Sequence, residues 1–164
     1  MRVDTKKLAM MGLFTALAMI FGYVEAILPI SMGIPGVKLG LANIVVVFAL
    51  YRLKPSEAFL INGVRIVLVS FMFGNLSVMI YSLAGGGASF AAMVLLKRTK
   101  KFSVYGVSVI GGVFHNLGQL IVSMLVLETA SLVYYGPVLL ISGLVTGLMI
   151  GITANEVLKR IGNH

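Results

Sequence analysis

Long apolar runs separated by short polar or glycine-containing breaks make up most of this chain. A membrane-spanning helix needs about 20 mainly apolar residues, and the runs are close to that length. They predict six spans, at residues 8–28, 38–51, 58–73, 76–96, 103–127 and 137–158. The second span is short for a full crossing, so we expect it to be tilted or to begin earlier.

The breaks contain residues that end helices or carry charge. Prolines, glycines and basic residues predict loops or turns at residues 29–37, 52–55, 74–75 and 97–101, and a further loop is predicted at 128–135, which begins with Glu128. Three consecutive glycines, Gly85 to Gly87, interrupt the fourth span. Because glycine has no side chain, this run either admits the backbone of a neighbouring helix or loosens the helix locally.

The composition is that of an integral membrane protein. The mean hydropathy is +1.06, 59% of the residues are hydrophobic and only 11% are charged, whereas a soluble domain of this size needs far more polar surface. We therefore expect an all-α membrane protein with a single domain, residues 1–164. The first run resembles a signal peptide at its basic start, but its length and Glu25 indicate that it is retained. The absence of cysteine excludes disulfides, thiolate metal sites, iron–sulfur clusters and cysteine nucleophiles.

The positive charges predict the orientation of a six-helix bundle. Eleven of the thirteen lysines and arginines fall on one side of the six spans, and loops on the cytoplasmic side collect such residues. We therefore expect both termini in the cytoplasm. The net charge of +8 is interpreted as a set of topology signals and contacts to the lipid bilayer, not as a site for nucleic acid.

Several polar side chains lie inside the predicted spans, where hydrocarbon offers no hydrogen-bond partner. His115, Asn116 and Gln119 form one patch on a flank of the fifth span. The other polar residues placed at mid-depth or in the outer half are Glu25, Lys38, Asn43, Asn62 and Arg65. We predict that all of them open onto one outward-facing cavity that binds a substrate.

Arg65 is the leading candidate for a ligand contact. An arginine at mid-depth is unfavourable by ~2.5–3.5 kcal/mol on insertion scales, so it needs a partner. One alternative is an ion pair with Glu25; the other is a bound anion, because a guanidinium suits phosphate or carboxylate. For the patch on the fifth span, the alternative is that it only bonds neighbouring helices. For Lys38 the alternative is that it reaches out to the interface.

Metal binding and catalysis are not expected. The only histidine besides His115 is His164, and acidic partners are few. Asp4 is the single aspartate, so no paired-aspartate motif can hold magnesium against a diphosphate, and no Walker loop is present. Uphill transport would take its energy from partner subunits or an ion gradient.

Small residues predict two close-packing helix faces. The first span carries Ala9, Gly12 and Ala16. The sixth carries Gly143, Gly147 and Gly151 in GxxxGxxxG spacing. We expect both faces to pack against other helices, within this chain or on a partner.

Six short segments together resemble the Gx transporter family, whose members often carry the older label heptaprenyl diphosphate synthase component I. The segments are Gly36–Asn43, Val64–Ile66, Ser82–Gly86, His115–Gln119, Gly136–Leu139 and Ser142–Gly147. The family is similar to the substrate-binding S components of energy-coupling factor transporters, six-helix proteins whose first helix uses small residues to meet a coupling subunit. The resemblance therefore implies an S-component-like fold in a bacterial cell membrane, with transmembrane coupling and ATPase subunits as partners.

The resemblance also implies alternatives for function. The synthase label implies a role in making the prenyl tail of menaquinone, and relatives are linked to flavin-based extracellular electron transfer. Our leading hypothesis is a non-catalytic binding and transport subunit for a small anionic or amphipathic molecule such as a flavin, a quinone or a prenyl precursor. The second is an accessory membrane subunit of a polyprenyl diphosphate synthase or of an electron-transfer system, with a soluble synthase or a membrane flavoprotein as partner. A third is a lipid or quinone site without transport.

Overall fold

The computed structural model describes residues 5–27 and 40–161, which fold almost entirely into helices. The helices are α1 (Thr5–Ile27), α2 (Leu41–Arg52), α3 (Pro55–Phe73), α4 (Leu76–Thr99), α5 (Val104–Val126) and α6 (Gly136–Ile161), with a short 3-10 helix (Ala130–Tyr135) before α6. These two stretches contain no β-strand. The all-α fold expected from the sequence is therefore confirmed for the described residues.

Five helices, all except α2, are long and apolar enough to cross a membrane. Their outer surfaces expose large apolar side chains such as Leu13, Phe71 and Leu125, the second of them 87% exposed. Exposed apolar surface on this scale is unfavourable in water and favourable in lipid. The chain is therefore a multi-pass membrane protein.

Helix α2 lies at the centre of the bundle and packs on α1, α3 and α6. Apart from Asn43, Tyr51 and the terminal Arg52, its residues are apolar on every side, a pattern typical of a buried helix, and Val45 to Leu50 are all buried. At 1.5 Å per residue the helix is about 18 Å long, well short of the roughly 30 Å hydrocarbon layer. The predicted span was 38–51, and α2 begins at Leu41 after the non-helical Gly40; residues 38 and 39 lie outside the described residues.

Polar side chains accept hydrogen bonds from backbone N–H groups at the beginnings of three helices. The backbone N–H of Lys54 donates to Glu57 Oε2 (3.1 Å) at the start of α3. The side chains of Asn75 and Ser103 accept from Val78 N (2.9 Å) and Gly106 N (3.4 Å) at the starts of α4 and α5. Each bond satisfies one of the backbone donors that a helix leaves without a partner in its first turn.

Glycines let α4, α5 and α6 pack at short range. A Cβ on Gly147 would lie 2.8 Å from Val109 Cα, and one on Gly151 would lie 3.0 Å from Tyr105 Cα. A Cβ on Gly118 would lie 2.9 Å from the carbonyl oxygen of Ala84. The backbone of α5 is therefore in contact with that of α6 on one side and of α4 on the other.

The helix ends that carry most of the lysines and arginines lie together at one end of the bundle. Three polar contacts connect these helix ends. Lys7 Nζ pairs with Glu57 (2.5 Å), Lys97 Nζ donates to the carbonyl oxygen of Leu50, and Asn155 donates to the Tyr105 hydroxyl (2.6 Å). We call this the basic end; its described lysines and arginines are Lys6, Lys7, Arg52, Lys54, Lys97, Arg98, Lys100, Lys101, Lys159 and Arg160. The main apolar core, built on Val46, Leu50 and Ile61, fills the half of the bundle next to it.

Two other expectations differ from the structure or fall outside it. Residues 128–135 were predicted to be a loop, but Ala130–Tyr135 form a 3-10 helix that packs on α5 and α6. A run of only six residues shows no helical period of apolar positions, so the sequence pattern does not reveal it. The loop predicted at 29–37 lies outside the described residues.

Candidate functional site

A polar cavity of about 80 Å³ lies in the half of the bundle away from the basic end, and all six α-helices contribute to its wall. Its lining reaches Ala26 and Gly74, at the ends of α1 and α3 opposite the basic end. The polar side chains in the wall are Glu25, Asn43, Arg65, Ser70, Ser82, His115, Asn116, Gln119 and Thr146. Polar groups that the sequence distributes over separate apolar helices thus meet at one place.

Two asparagines from different helices hold the Arg65 guanidinium. Arg65 Nη2 donates to Asn43 Oδ1 on α2 at 2.6 Å. Nε and Nη2 both donate to Asn62 Oδ1, one turn earlier on α3, at 3.1 and 2.9 Å. Both acceptors are neutral amides, so these bonds orient the guanidinium without cancelling its charge.

Asn62 is itself fixed by α4. Its amide nitrogen donates to the carbonyl oxygen of Gly86 at 3.3 Å, and the side chain is 3% exposed. A Cβ on Gly86 would lie 2.6 Å from Ile66 Cδ1 and 3.4 Å from Asn62 Nδ2. Gly86 therefore allows α4 to come close enough for this bond, and the glycine run admits a neighbour while α4 stays continuous.

The polar patch of α5 divides into a structural and a cavity-facing part. Asn116 is buried and donates to the carbonyl oxygen of Leu139 on α6 at 2.7 Å. His115 and Gln119 line the cavity, and both pack against Gly85, where an added Cβ would lie 2.7 Å from Gln119 Cγ. Asn116 thus helps to position α6, as the alternative interpretation of this patch expects, while also reaching the cavity wall.

Glu25 connects the end of α1 to the beginning of α2. Its Oε1 accepts from the backbone N–H of Gly40, which precedes the first turn of α2. A carboxylate there also interacts favourably with the positive end of the helix dipole. Gly40 has a φ of +71°, a conformation that favours glycine, so the residue type permits the turn that brings this N–H to Glu25.

Arg65 and Glu25 share the cavity, although the hydrogen bonds of the guanidinium within residues 5–27 and 40–161 go to the two asparagines. Lys38 lies outside the described residues. Asn62 accepts hydrogen bonds from Arg65 but is not part of the cavity wall.

The two predicted packing faces are placed differently. Gly143, Gly147 and Gly151 all face the backbone of α5; an added Cβ on Gly143 would lie 2.8 Å from the carbonyl oxygen of Gly112. On α1, in contrast, Ala9, Gly12 and Ala16 are exposed. No described atom comes within 4 Å of a Cβ built on Gly12.

Sequence reasoning missed the hydroxyl residues of the cavity, Ser70, Ser82 and Thr146. Serine and threonine in apolar helices often bond the carbonyl of the preceding turn, as Thr146 Oγ1 does with Ser142 (2.8 Å). A hydroxyl in such a position carries little signal in the sequence. Ser82 lies three and four residues before Gly85 and Gly86, and this proximity was the one feature of the sequence that could have indicated a place in the cavity.

The described residues of the cavity wall can bind an anionic or polar group, and the side chains that commonly ligate metals are dispersed in this part of the chain. No group of three or more histidine, cysteine, aspartate or glutamate side chains comes together there. The described residues provide the cavity with one cation, one carboxylate, one imidazole and several amide and hydroxyl groups.

The fold and cavity define a multi-pass helical membrane protein with an internal polar site. A family model described as heptaprenyl diphosphate synthase component I matches residues 14–157, which is most of the chain, so the protein belongs to that family. This confirms the family named from the sequence under its older label. Comparisons with curated proteins and with solved structures found no match.

Proposed function

We propose that this protein is a non-catalytic membrane subunit that binds a small molecule through an anionic group and takes part in its transport. The observation that carries the proposal is the position of Arg65, a cation that neutral amides hold in the wall of a cavity lined by all six helices. A charged side chain within a membrane span needs compensation. The Glu25 carboxylate lines the same cavity, and an anionic ligand bound at the guanidinium would add to the compensation.

The lining supports binding from the side opposite the basic end. The cavity wall reaches the ends of α1 and α3 on that side, while the apolar core fills the bundle on the other side. If the basic end faces the cytoplasm, as the positive-inside rule predicts, the ligand enters from outside. Such uptake agrees with the S-component-like architecture expected from the sequence, in which coupling and ATPase subunits supply the energy.

The test is native mass spectrometry of the protein purified from its own membrane, with Arg65→Gln as the variant. We expect wild-type protein to retain a small molecule that R65Q has lost, while the variant still gives a monodisperse peak in detergent. The matched control is Arg98→Gln, an exposed arginine at the basic end, which should retain the molecule. Equal retention by R65Q and wild type would contradict the proposal.

A second candidate is an accessory membrane subunit of a heptaprenyl diphosphate synthase, and the description of the family favours it. In this role the protein would recruit a soluble synthase to the membrane where its lipid product is used. Purification under mild conditions separates the two. Transmembrane coupling and ATPase subunits in the eluate favour transport, whereas a soluble prenyl synthase favours the accessory role.

A further inference from the structure

An apolar groove between α3 and α4 opens onto the outer surface of the bundle, next to the basic end. Its walls are formed by Ser56 and Phe59 in the first turns of α3 and by Ala91, Val94 and Leu95 in the last turns of α4. Phe59 and Leu95 are 56% and 62% exposed, so the groove faces the surroundings of the bundle and not its interior. In a membrane those surroundings are lipid.

The groove is long enough for an acyl chain. A second groove along α3 shares Phe59 with the first and continues to Leu68. Residues 55–68 of a helix span about 20 Å at 1.5 Å per residue, whereas one leaflet is about half of the roughly 30 Å hydrocarbon layer. A chain that enters at the basic end can therefore lie against α3 over the whole depth of its leaflet.

The walls of the groove favour a flexible chain over a partner helix. Helices associate in membranes through small residues, which let backbones approach closely, and through polar side chains that bond across the interface. The groove has the bulky Phe59, Val94 and Leu95 in its walls, and Ser56 is the one polar side chain among its described residues. A lipid chain can adapt its shape to such walls, whereas a helix backbone is held away by them.

Exposed cations lie on both sides of the groove where it meets the basic end. On α3, Lys54 directly precedes Pro55, which lines the groove. On α4, Arg98 lies one turn beyond Val94 and Leu95, on the same face of the helix. Because Cα–Cβ bonds tilt toward the N-terminus of a helix, the Arg98 side chain leaves α4 in the direction of the groove.

The neighbouring charged residues point elsewhere. Lys97 Nζ donates to the carbonyl oxygen of Leu50 and lies 4.9 Å from the centroid of the Tyr51 ring, so this lysine connects α4 to α2. Glu57, the carboxylate in the first turn of α3, pairs with Lys7 of α1 at 2.5 Å. Arg98 and Lys54 are therefore the basic residues placed to meet a phosphate at the end of the groove.

We propose that this groove binds an anionic phospholipid, with one acyl chain between α3 and α4 and the phosphate between Lys54 and Arg98. The site is separate from the cavity that holds Arg65, which lies in the other half of the bundle, and it does not depend on the proposed function. With the basic end toward the cytoplasm, the lipid comes from the inner leaflet, whose anionic headgroups attract basic residues.

Native mass spectrometry of the full chain tests the site. The probes are dioleoyl phosphatidylglycerol and dioleoyl phosphatidylcholine, offered in equal amounts to delipidated protein. The two lipids have the same acyl chains and differ in net charge, so their ratio in the first bound lipid measures the recognition of charge. We expect wild type to take up phosphatidylglycerol in about tenfold or greater excess, because each of the two basic residues contributes about a factor of five. Equal uptake would overturn the proposal.

Arg98→Gln tests the headgroup contact. We expect R98Q, and likewise Lys54→Gln, to lower the ratio of the two lipids by about a factor of five. The matched control is Arg160→Gln, an exposed arginine at the basic end of α6, which should keep the wild-type ratio. If R160Q lowers the ratio as much as R98Q does, the preference comes from the charge of the whole basic end and the proposed site is wrong. R65Q should also keep the ratio, so a failure here leaves the proposed function intact.

Ala91→Phe tests the groove itself. Ala91 is exposed and lines the groove, so a phenyl ring there fills it without entering the core. We expect A91F to lower the uptake of both lipids severalfold, and Ala16→Phe, at an exposed position of α1, to leave it unchanged. Equal uptake by A91F and wild type would overturn the assignment of the groove. A membrane protein or a second copy of the chain that co-purifies with wild type and A16F, but not with A91F, would assign the groove to that partner instead of a lipid.

Discussion

At the scale of single residues, the support of Arg65 by Asn62 and Asn43 is the feature on which the site depends. Asn62 accepts two bonds from the guanidinium and donates one to Gly86 on α4. Asn62→Leu keeps the side-chain volume roughly constant, but it removes the acceptor for the Arg65 guanidinium and the donor to the Gly86 carbonyl oxygen. We expect it to lower the free energy of unfolding by about 2–4 kcal/mol, because unsatisfied partners of a charged group are especially unfavourable. Chemical denaturation in mixed micelles measures this loss.

Asn155→Leu is the matched control for that experiment. Asn155 donates one bond to a neutral group, the Tyr105 hydroxyl, at 2.6 Å. A single neutral hydrogen bond contributes about 0.5–1.5 kcal/mol, so N155L should be clearly milder than N62L. Equal losses in the two variants would mean that Asn62 contributes no more than an ordinary neutral bond.

The sequence could predict part of the site because polar residues are rare in apolar helices. Arg65, His115 and Gln119 are conspicuous in the sequence because each is unfavourable in lipid, and the structure brings them to one cavity. Spacing along α3 placed Asn62 beside Arg65. It could not show that Asn43 and Asn62 bond the guanidinium, because that depends on how α2 and α4 pack against α3 and on the direction of each amide.

At the scale of whole helices, the contact between α5 and α6 depends on glycines, which have no side chain to separate the two backbones. A Cβ on Gly147 would lie 2.8 Å from Val109 Cα and 2.9 Å from the carbonyl oxygen of Ser108, both of them backbone atoms that cannot rotate away. Gly147→Ala should therefore separate the two helices and break the bond from Ser108 Oγ to the carbonyl oxygen of Gly147 (2.7 Å). We expect a loss of about 1–3 kcal/mol, as for overpacking in a core, measured by the same denaturation assay.

Gly63→Ala gives the opposite expectation in the same fold. Gly63 lies within α3, and no described atom would come within 4 Å of an added Cβ. Alanine is the better helix former by about 0.5–1 kcal/mol, so G63A should be neutral or slightly stabilising. If both variants were equally stable, the close α5–α6 contact would be unnecessary for the fold.

Helix positions were the most predictable part of the fold, for a physical reason. A span must be apolar over a fixed length, so α4 and α5, at Leu76–Thr99 and Val104–Val126, agree with the predicted 76–96 and 103–127 within three residues. The ends of the short α2 were harder to predict from the sequence, because the length of a helix buried on all sides is determined by the helices around it and not by the thickness of the membrane. Hydropathy does not predict which helices pack against each other. The spacing of Gly143 and Gly147 indicates that this face of α6 makes a close contact, but it does not indicate which helix lies against it.

At the scale of the whole molecule, the separation of charge predicts the orientation in the membrane. The described basic residues at helix ends gather at one end of the bundle, and the cavity lies in the other half. The chain has no cysteine, so single cysteines can be placed without altering a native thiol. Thr99 is exposed at the basic end, and Ser131 is exposed in the 3-10 helix at the other end. In intact bacterial cells, a membrane-impermeant maleimide should label Ser131→Cys and should leave Thr99→Cys unlabelled until the cells are permeabilised.

This experiment also decides from which side the proposed ligand would reach Arg65. The wild-type chain provides the unlabelled baseline, and full labelling of both variants after permeabilisation shows that both thiols are accessible. Labelling of T99C alone in intact cells would place the basic end outside and the mouth of the cavity toward the cytoplasm, so that the protein would take its ligand from inside. Equal labelling of the two variants in intact cells would indicate both orientations, which the ten described basic residues at one end should prevent, because each adds to the barrier against translocation of that end.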